Sequence, residues 1–362
     1  MQRSLPRTLM STLSSHLELS KSRLETLAFL LVGMVSARTV NLSHLSSQFP
    51  GNVQVASSYR RLQRFFQHVQ LSADWSGPLV VKLLGLSGPW LLCLDRTNWK
   101  IGQKDINILM LAVVTRRFRI PLLWTVLDKA GTSNSEERMA LMRRYLALFG
   151  ASSIKALLGD REFIGADWIA FLLKNDIPFA LRLKDNMNVV LDNGQQLSLR
   201  TLLCKQRIGA TLRGHRGRLA IMDKTLGLPL SFAAKRIKKG ELLILATTLE
   251  PDAALKAYKK RWAIECLFGD VKTRGFNLED TRLRDPRKLD TLLVLLALAV
   301  AWAAKVADKL LGRRKLKTKI HGFPAKSFFR TGFDTLRRWL LFQPRKAALL
   351  WIPLRAATRR VV

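Results

Sequence analysis

Four polar residues, Tyr258, Arg261, Glu265 and Lys272, recur at intervals of three, four and seven in the stretch 251–272. If that stretch is one helix turning about 100° per residue, their side chains share an arc of about 60°. Ala257, Ile264, Leu267, Phe268 and Val271 fill the adjacent arc and form an apolar stripe for packing. The border of such a helix presents a carboxylate between two cations and a phenol. An arginine can fork onto a phosphate, a lysine can act as a point charge, and a glutamate can hold a divalent ion. The same spacing also describes a plain surface helix with one Arg261–Glu265 ion pair, worth about a few tenths of a kcal/mol.

Two further carboxylates favour the chemical reading. Asp95 follows the apolar run 89–94, and Asp160 closes the run 154–159. One acid after an apolar strand often only starts a turn. Two of them, on strands that would pair, are harder to dismiss. Three carboxylates are hard oxygen donors suited to Mg²⁺ or Mn²⁺, with no need for thiol or imidazole. Glu162 and Asp128 lie nearby in sequence, but neither ends a central strand in the register needed to join them. Cys93 and Cys266 read as small buried hydrophobes that point away from the site. His16, His44, His68, His215 and His321 show no metal-ligand spacing. There is no phosphate loop, dinucleotide fingerprint or Ser-His-Asp pattern.

The elements that must position these residues follow from the hydrophobic pattern. Residues 1–88 read as helical, with 27–35 a buried helix. The segment 39–49, a turn at Pro50-Gly51 and a basic helix over 57–69 resemble a DNA-reading arrangement, with Arg60, Arg61 and Arg64 as DNA contacts. Strands are predicted at 89–94, 106–115 and 118–127, the last two as a hairpin. Then come a helix over 133–149 capped by Ser133 and Glu136, a strand at 154–158, a helix at 166–174 and a strand at 179–183. Three strands, helix, strand, helix, strand is the order of a ribonuclease-H-like sheet, in which the first and fourth strands are neighbours.

The fold class is therefore α/β: a ribonuclease-H-like core, a mixed five-stranded sheet with helices, interrupted by a β-rich insertion and flanked by helical N- and C-terminal regions. The expected division is a helical DNA-binding domain over 1–88, a catalytic core over 89–183 and 241–305, the insertion over 184–240, and a basic helical region over 306–362. In the insertion, Asn193-Gly194 marks a hairpin, Gly214 and Gly217 flank a second turn, and 228–237 is a further strand. The segment 242–248 either closes the insertion or returns to the main sheet. A long helix starts at Pro251, an apolar helix covers 289–304, and the aromatics of the tail (Phe323, Phe328, Phe329, Trp339, Phe342, Trp351) imply a small packed subdomain.

Composition sets the class of partner. The chain has 362 residues, with 61 Lys and Arg against 26 Asp and Glu, a net charge of +35. A charge of that size makes a polyanion, nucleic acid first, the expected partner. The insertion carries a net +9 and the tail a net +13. Apolar residues at 48% argue against disorder, and three cysteines cannot support a disulfide framework. The unbroken apolar run 292–304 is shorter than the ~20 residues needed to cross a bilayer. The sequence thus reads as a cytoplasmic, nucleoid-associated protein with no membrane partner.

The Y-x2-R-x3-E-x6-K spacing of Tyr258, Arg261, Glu265 and Lys272 resembles the signature of the insertion-sequence-four family of bacterial DDE transposases. Leu94-Asp95 with Thr97 and Trp99, and the GDREF segment 159–163, are similar to that family's two aspartate regions. The β insertion before the glutamate and the apolar helix after LEDTRLRDPRKLD also fit, over about residues 50–340. The resemblance implies that Asp95, Asp160 and Glu265 bind metal and catalyse, with two Mg²⁺ or Mn²⁺ ions per site, and that Tyr258, Arg261 and Lys272 contact DNA phosphates. It implies metal-dependent cut-and-paste transposition: water cuts at the element's end, and the freed 3′-hydroxyl attacks target DNA. The partners would be double-stranded inverted repeats and target DNA, held by a homodimer. Relatives that process ends through a DNA hairpin stack a flipped base on a tryptophan of the insertion. Here no tryptophan occurs between Trp168 and Trp262, a departure from that pattern, and Trp99 and Trp262 read as structural. The alternatives are an inactive or domesticated basic DNA-binding protein of this fold, or a ribonuclease-H-fold nuclease.

Overall fold

The computed structural model describes residues 4–49, 53–191, 193–204, 211–221, 224–225, 230–237, 241–314, 316–320, 322 and 324–351. The expected turn at Pro50-Gly51, His321 and Phe323 lie outside these residues. Five helices open the chain: α1 (Ser4–Ser14), α2 (Lys21–Ala37), α3 (Leu42–Ser46), α4 (Val55–His68) and α5 (Ala73–Leu84). The core follows as β1 (Trp90–Ile101), β2 (Lys104–Val114), β3 (Arg119–Leu127), α6 (Ser135–Phe149), β4 (Ile154–Gly159), α7 (Ala166–Lys174) and β5 (Phe179–Arg182). Next are β6 (Asn188–Leu191), β7 (Gln196–Ser198), α8 (Leu199–Leu202), β8 (Thr211–Ile221), β9 (Lys224–Thr225), β10 (Leu230–Arg236) and β11 (Leu242–Thr247). Helices α9 (Pro251–Tyr258), α10 (Trp262–Val271), α11 (Pro286–Leu311), α12 (Phe328–Phe342) and α13 (Pro344–Leu349) complete the described chain.

The sheet runs β3-β2-β1-β4-β5-β11-β10-β8-β6-β7, with β9 on β8. Its first five strands have the ribonuclease-H-like order, β1 to β3 antiparallel and β4 and β5 parallel to β1. β11 pairs antiparallel with β5, so the insertion strands prolong the main sheet and form no second layer. Strand β11 covers what would otherwise be the open edge of β5, and β10 pairs in turn with β11.

Several local expectations are corrected. β1 does not stop at Asp95. It continues to Ile101 because β2 keeps pairing with it, up to Ile101 opposite Lys104, and Gly102 at φ +62° makes the tight turn between them. Only the parallel partner ends there, with Leu94 opposite Gly159. The α6 capping box uses Asn134 and Glu137, one residue later than expected. Ser133 instead accepts a hydrogen bond from Arg138. Gly214 and Gly217 lie inside the continuous strand β8 and flank no turn. The tail aromatics form no core of their own. Trp351 meets Trp302 of α11 edge-on at 5.4 Å, Phe329 and Phe333 pack on Phe276, and Phe342 is exposed.

α11 is long and apolar enough to cross a membrane, yet its apolar window is 89% buried inside the fold. It packs against α12, α5, α2 and β3. Its all-round hydrophobicity is that of a central core helix. Residues 27–35 likewise lie in the mostly buried α2.

Candidate active site

Parallel pairing sets the first part of the site. Leu94, Gly159 and Leu181 stand side by side on β1, β4 and β5, so the next residues, Asp95, Asp160 and Arg182, form a row at the same sheet edge. The Asp95 Oδ1 accepts a hydrogen bond from the Arg96 backbone N–H, and the Asp160 Oδ1 accepts one from the Arg161 N–H, each at 2.8 Å. Arg182 lies 4.0 Å from Asp160 and also pairs with Glu241. Arg182 was not singled out in the sequence, because only strand register shows that it shares this row.

The helix expected from Pro251 is broken. α9 ends at Tyr258, and tighter three-residue turns through 259–261 precede α10. The uniform wheel therefore fails across the break: Tyr258, Arg261 and Glu265 stay in contact, and Lys272 turns away. Tyr258 is buried and its hydroxyl donates to Asp160 at 3.4 Å. Burial, then the Asp160 charge, raises its pKa above the usual phenol value, so it stays a neutral donor. Arg261 reaches Asp95 with Nη1 at 3.4 Å and Glu265 with Nη2, and its guanidinium lies over the Tyr258 ring. Lys272, at the end of α10, turns to Glu279 at 2.7 Å and lies over Trp99, the residue the β1 extension carries there.

Asp95 is the most perturbed carboxyl of the row. Burial pushes its pKa up to about 6, against the opposing Arg96 N–H and Arg261, with Glu162 and Glu265 adding to the rise. Glu162 is held by Arg96 at 3.1 Å, and Asp128 pairs with Lys104 away from the row. Cys93 corrects the sequence reading. Strand residues two apart share a face, so Cys93 lies on the Asp95 side, fully buried, with Sγ 3.9 Å from the Lys260 carbonyl. Trp262 is also corrected: it is 63% exposed and has no structural packing role.

A model of the Transposase DDE domain matches residues 86–302, more than half of the chain. The chain belongs to this family. Members use divalent metals, and membership implies DNA as the partner. No curated protein matches the sequence. Among solved structures, the crystal structure of Endonuclease_V from Bacillus subtilis is 11% identical and covers 68% of this chain and 92% of that one. Its TM-score of 0.26 is too low to carry an argument.

In this DDE transposase the donor set fits a hard cation, since all three candidate ligands are carboxylates. The arrangement is not yet that of a metal site: among the described residues no three acidic, histidine or cysteine side chains stand close enough to hold an ion. The guanidinium of Arg261 stands between Asp95 and Glu265.

Basic surface surrounds the row. A groove of about 540 Å³ beside Asp160 is lined by Arg161, Arg182, Lys184, Arg200 and Arg236 along with Asp185 and Glu241. A cleft of about 470 Å³ between α4 and residues 282–288 is lined by Tyr59, Gln63, Arg64, Arg282 and Lys288. Arg60 and Arg64 are exposed on α4. Arg61 is turned inward, its guanidinium bonded to Thr26 at 2.9 Å and Ser22 at 3.1 Å and resting over Phe49.

Proposed function

We propose that this transposase belongs to the insertion-sequence-four group and moves an insertion sequence by cut-and-paste, cutting DNA at the element's ends and joining them to target DNA. The observation that carries the reading is the adjacency of Asp95 and Asp160 across paired parallel strands, with Glu265 tied to Asp95 through one guanidinium. Asp95, Asp160 and Glu265 would hold two Mg²⁺ or Mn²⁺ ions. Such ions, when bound, activate the attacking water and stabilise the departing oxygen.

The chain's own residues orient and hold. The Arg96 and Arg161 backbone N–H groups fix the two aspartates. Tyr258 and Arg182 fasten Asp160 through the same oxygen, Oδ1. Arg261 and Lys272 would hold phosphates next to the scissile bond, and the basic groove beside Asp160 would guide the strand. The substrates are double-stranded inverted repeats and target DNA, bound by a homodimer at the nucleoid in the cytoplasm.

The test is cleavage of duplexes carrying the element's ends, with Mg²⁺, by wild type and by Glu265→Gln. Cleavage is expected to fall by about 10³-fold or more while DNA binding persists, because a ligand is lost and the basic surface is not. Equal cleavage by both proteins would remove Glu265 from the metal-binding set, and no cleavage by either would leave only the reading of a basic DNA-binding protein.

A further inference from the structure

The Arg261 guanidinium bridges Asp95 and Glu265, two of the three carboxylates read as metal ligands: its Nη1 takes Asp95 and its Nη2 takes Glu265. The side chain is only 12% exposed and is backed by the Tyr258 ring at 5.9 Å. The remaining aspartate has its own cation, Arg182. Each carboxylate in the row is thus matched by an arginine.

From this arrangement we infer that Arg261 is a resident counter-cation that keeps divalent metal out of the free protein, and that DNA releases it. The inference rests on the reading of Asp95 and Glu265 as metal ligands. A guanidinium and a divalent ion cannot share one space between the same two carboxylates. With the guanidinium in place, like charges are neutralised and Glu265 is held on its far side. A phosphodiester offers the same fork a planar pair of oxygens, the geometry arginine binds best. When Arg261 turns to a phosphate, Asp95 and Glu265 lose their cation together and become open to metal. Metal and DNA binding are then coupled, and by linkage each raises the affinity of the other by the same factor. The element break favours this exchange. Arg261 sits at the junction of α9 and α10, where the turns are tighter than in either helix, so its stem is not locked into a long regular surface.

The experiment titrates Mn²⁺ into the full chain and reads free Mn²⁺ by electron paramagnetic resonance. It compares wild type, Arg261→Gln, Arg261→Lys and Asp95→Asn, with and without a duplex oligonucleotide. Without DNA, Arg261→Gln is expected to bind Mn²⁺ about tenfold more tightly than wild type, the factor one competing charge-assisted contact is worth. Arg261→Lys, a point charge that cannot fork, should fall between them. Wild type should gain a similar factor when duplex is added, beyond the Mn²⁺ that the duplex binds with Asp95→Asn. Arg261→Gln should gain none. If Arg261→Gln binds Mn²⁺ equally or more weakly, while Asp95→Asn still abolishes binding, the counter-cation role is wrong and the metal site stands. If no protein binds Mn²⁺ above the Asp95→Asn level, with or without DNA, both the role and the metal reading fall. The wild-type comparison with and without duplex, corrected by Asp95→Asn, does not involve Arg261→Gln, so a misfolded Arg261→Gln cannot shield the inference.

Discussion

Asp95 carries the strongest electrostatic strain in the site. Its pKa rises from 3.8 to about 6, chiefly by burial. The native protein therefore keeps this proton over a range in which the unfolded chain has already lost it. Between about pH 4 and pH 6 the native state binds more protons, so this group's contribution to stability falls as pH rises and is constant above that window. Asp95→Asn removes the effect. The variant is expected to exceed wild type in stability by up to about 3 kcal/mol at pH 7 and by little at pH 4, read from urea midpoints at the two pH values. A constant difference across that range would refute the assignment. Greater stability on loss of an ionisable carboxyl marks a residue kept for chemistry, not for the fold.

At the scale of elements, α10 must be held so that Glu265 faces the sheet. The buried Asp270 of α10 bonds Arg119 at the start of β3 at 2.8 Å, with the Asp270 side chain only 3% exposed. Burial raises the Asp270 pKa, and Arg119 opposes the rise. Removing the arginine breaks the ion pair and leaves the buried carboxyl with only the weaker influence of Arg274, so Arg119→Met is expected to cost about 3 kcal/mol in equilibrium unfolding. The double variant Arg119→Met with Asp270→Leu should recover most of that loss, since an apolar pair replaces both charges. In the N-terminal helices the same logic separates three adjacent arginines. Arg60 and Arg64 face solvent on α4, whereas Arg61 ties α4 to α2. Replacing Arg60 and Arg64 by Ala should reduce the salt slope of DNA binding by about 2, and Arg61→Ala should leave that slope unchanged while lowering the melting temperature.

Over the whole molecule, a net charge of +35 dominates the encounter with DNA. If six to ten phosphates are contacted, affinity for a duplex of any sequence should drop by about 10³-fold or more between 50 and 200 mM salt, measured by fluorescence anisotropy. A shallow dependence would show that the basic groove beside Asp160 and the cleft near α4 do not engage the backbone. Strands β6 to β11 continue the main sheet, and the groove beside Asp160 is lined from the ends of β5 and β10 and the start of β11. A rigid sheet can hold a strand of nucleic acid in line with Asp160 without a hinge between two bodies.

The linear chain already determined the order of strands and helices, the burial of α11 and α2, and the meeting of Asp95 with Asp160. Those features depend on local periodicity and on the topology that short connections permit. Tertiary structure alone decided what periodicity cannot encode. Pairing register put Arg182 in the row with the aspartates and carried β1 past Asp95. A helix break sent Tyr258 and Arg261 to different carboxylates and Lys272 to Glu279. Packing turned Arg61 inward and left Trp262 in solvent. Most of these outcomes depend on contacts between residues far apart in sequence, such as Asp160 with Tyr258 and Asp95 with Arg261, whose geometry exists only once the sheet and the helices have packed.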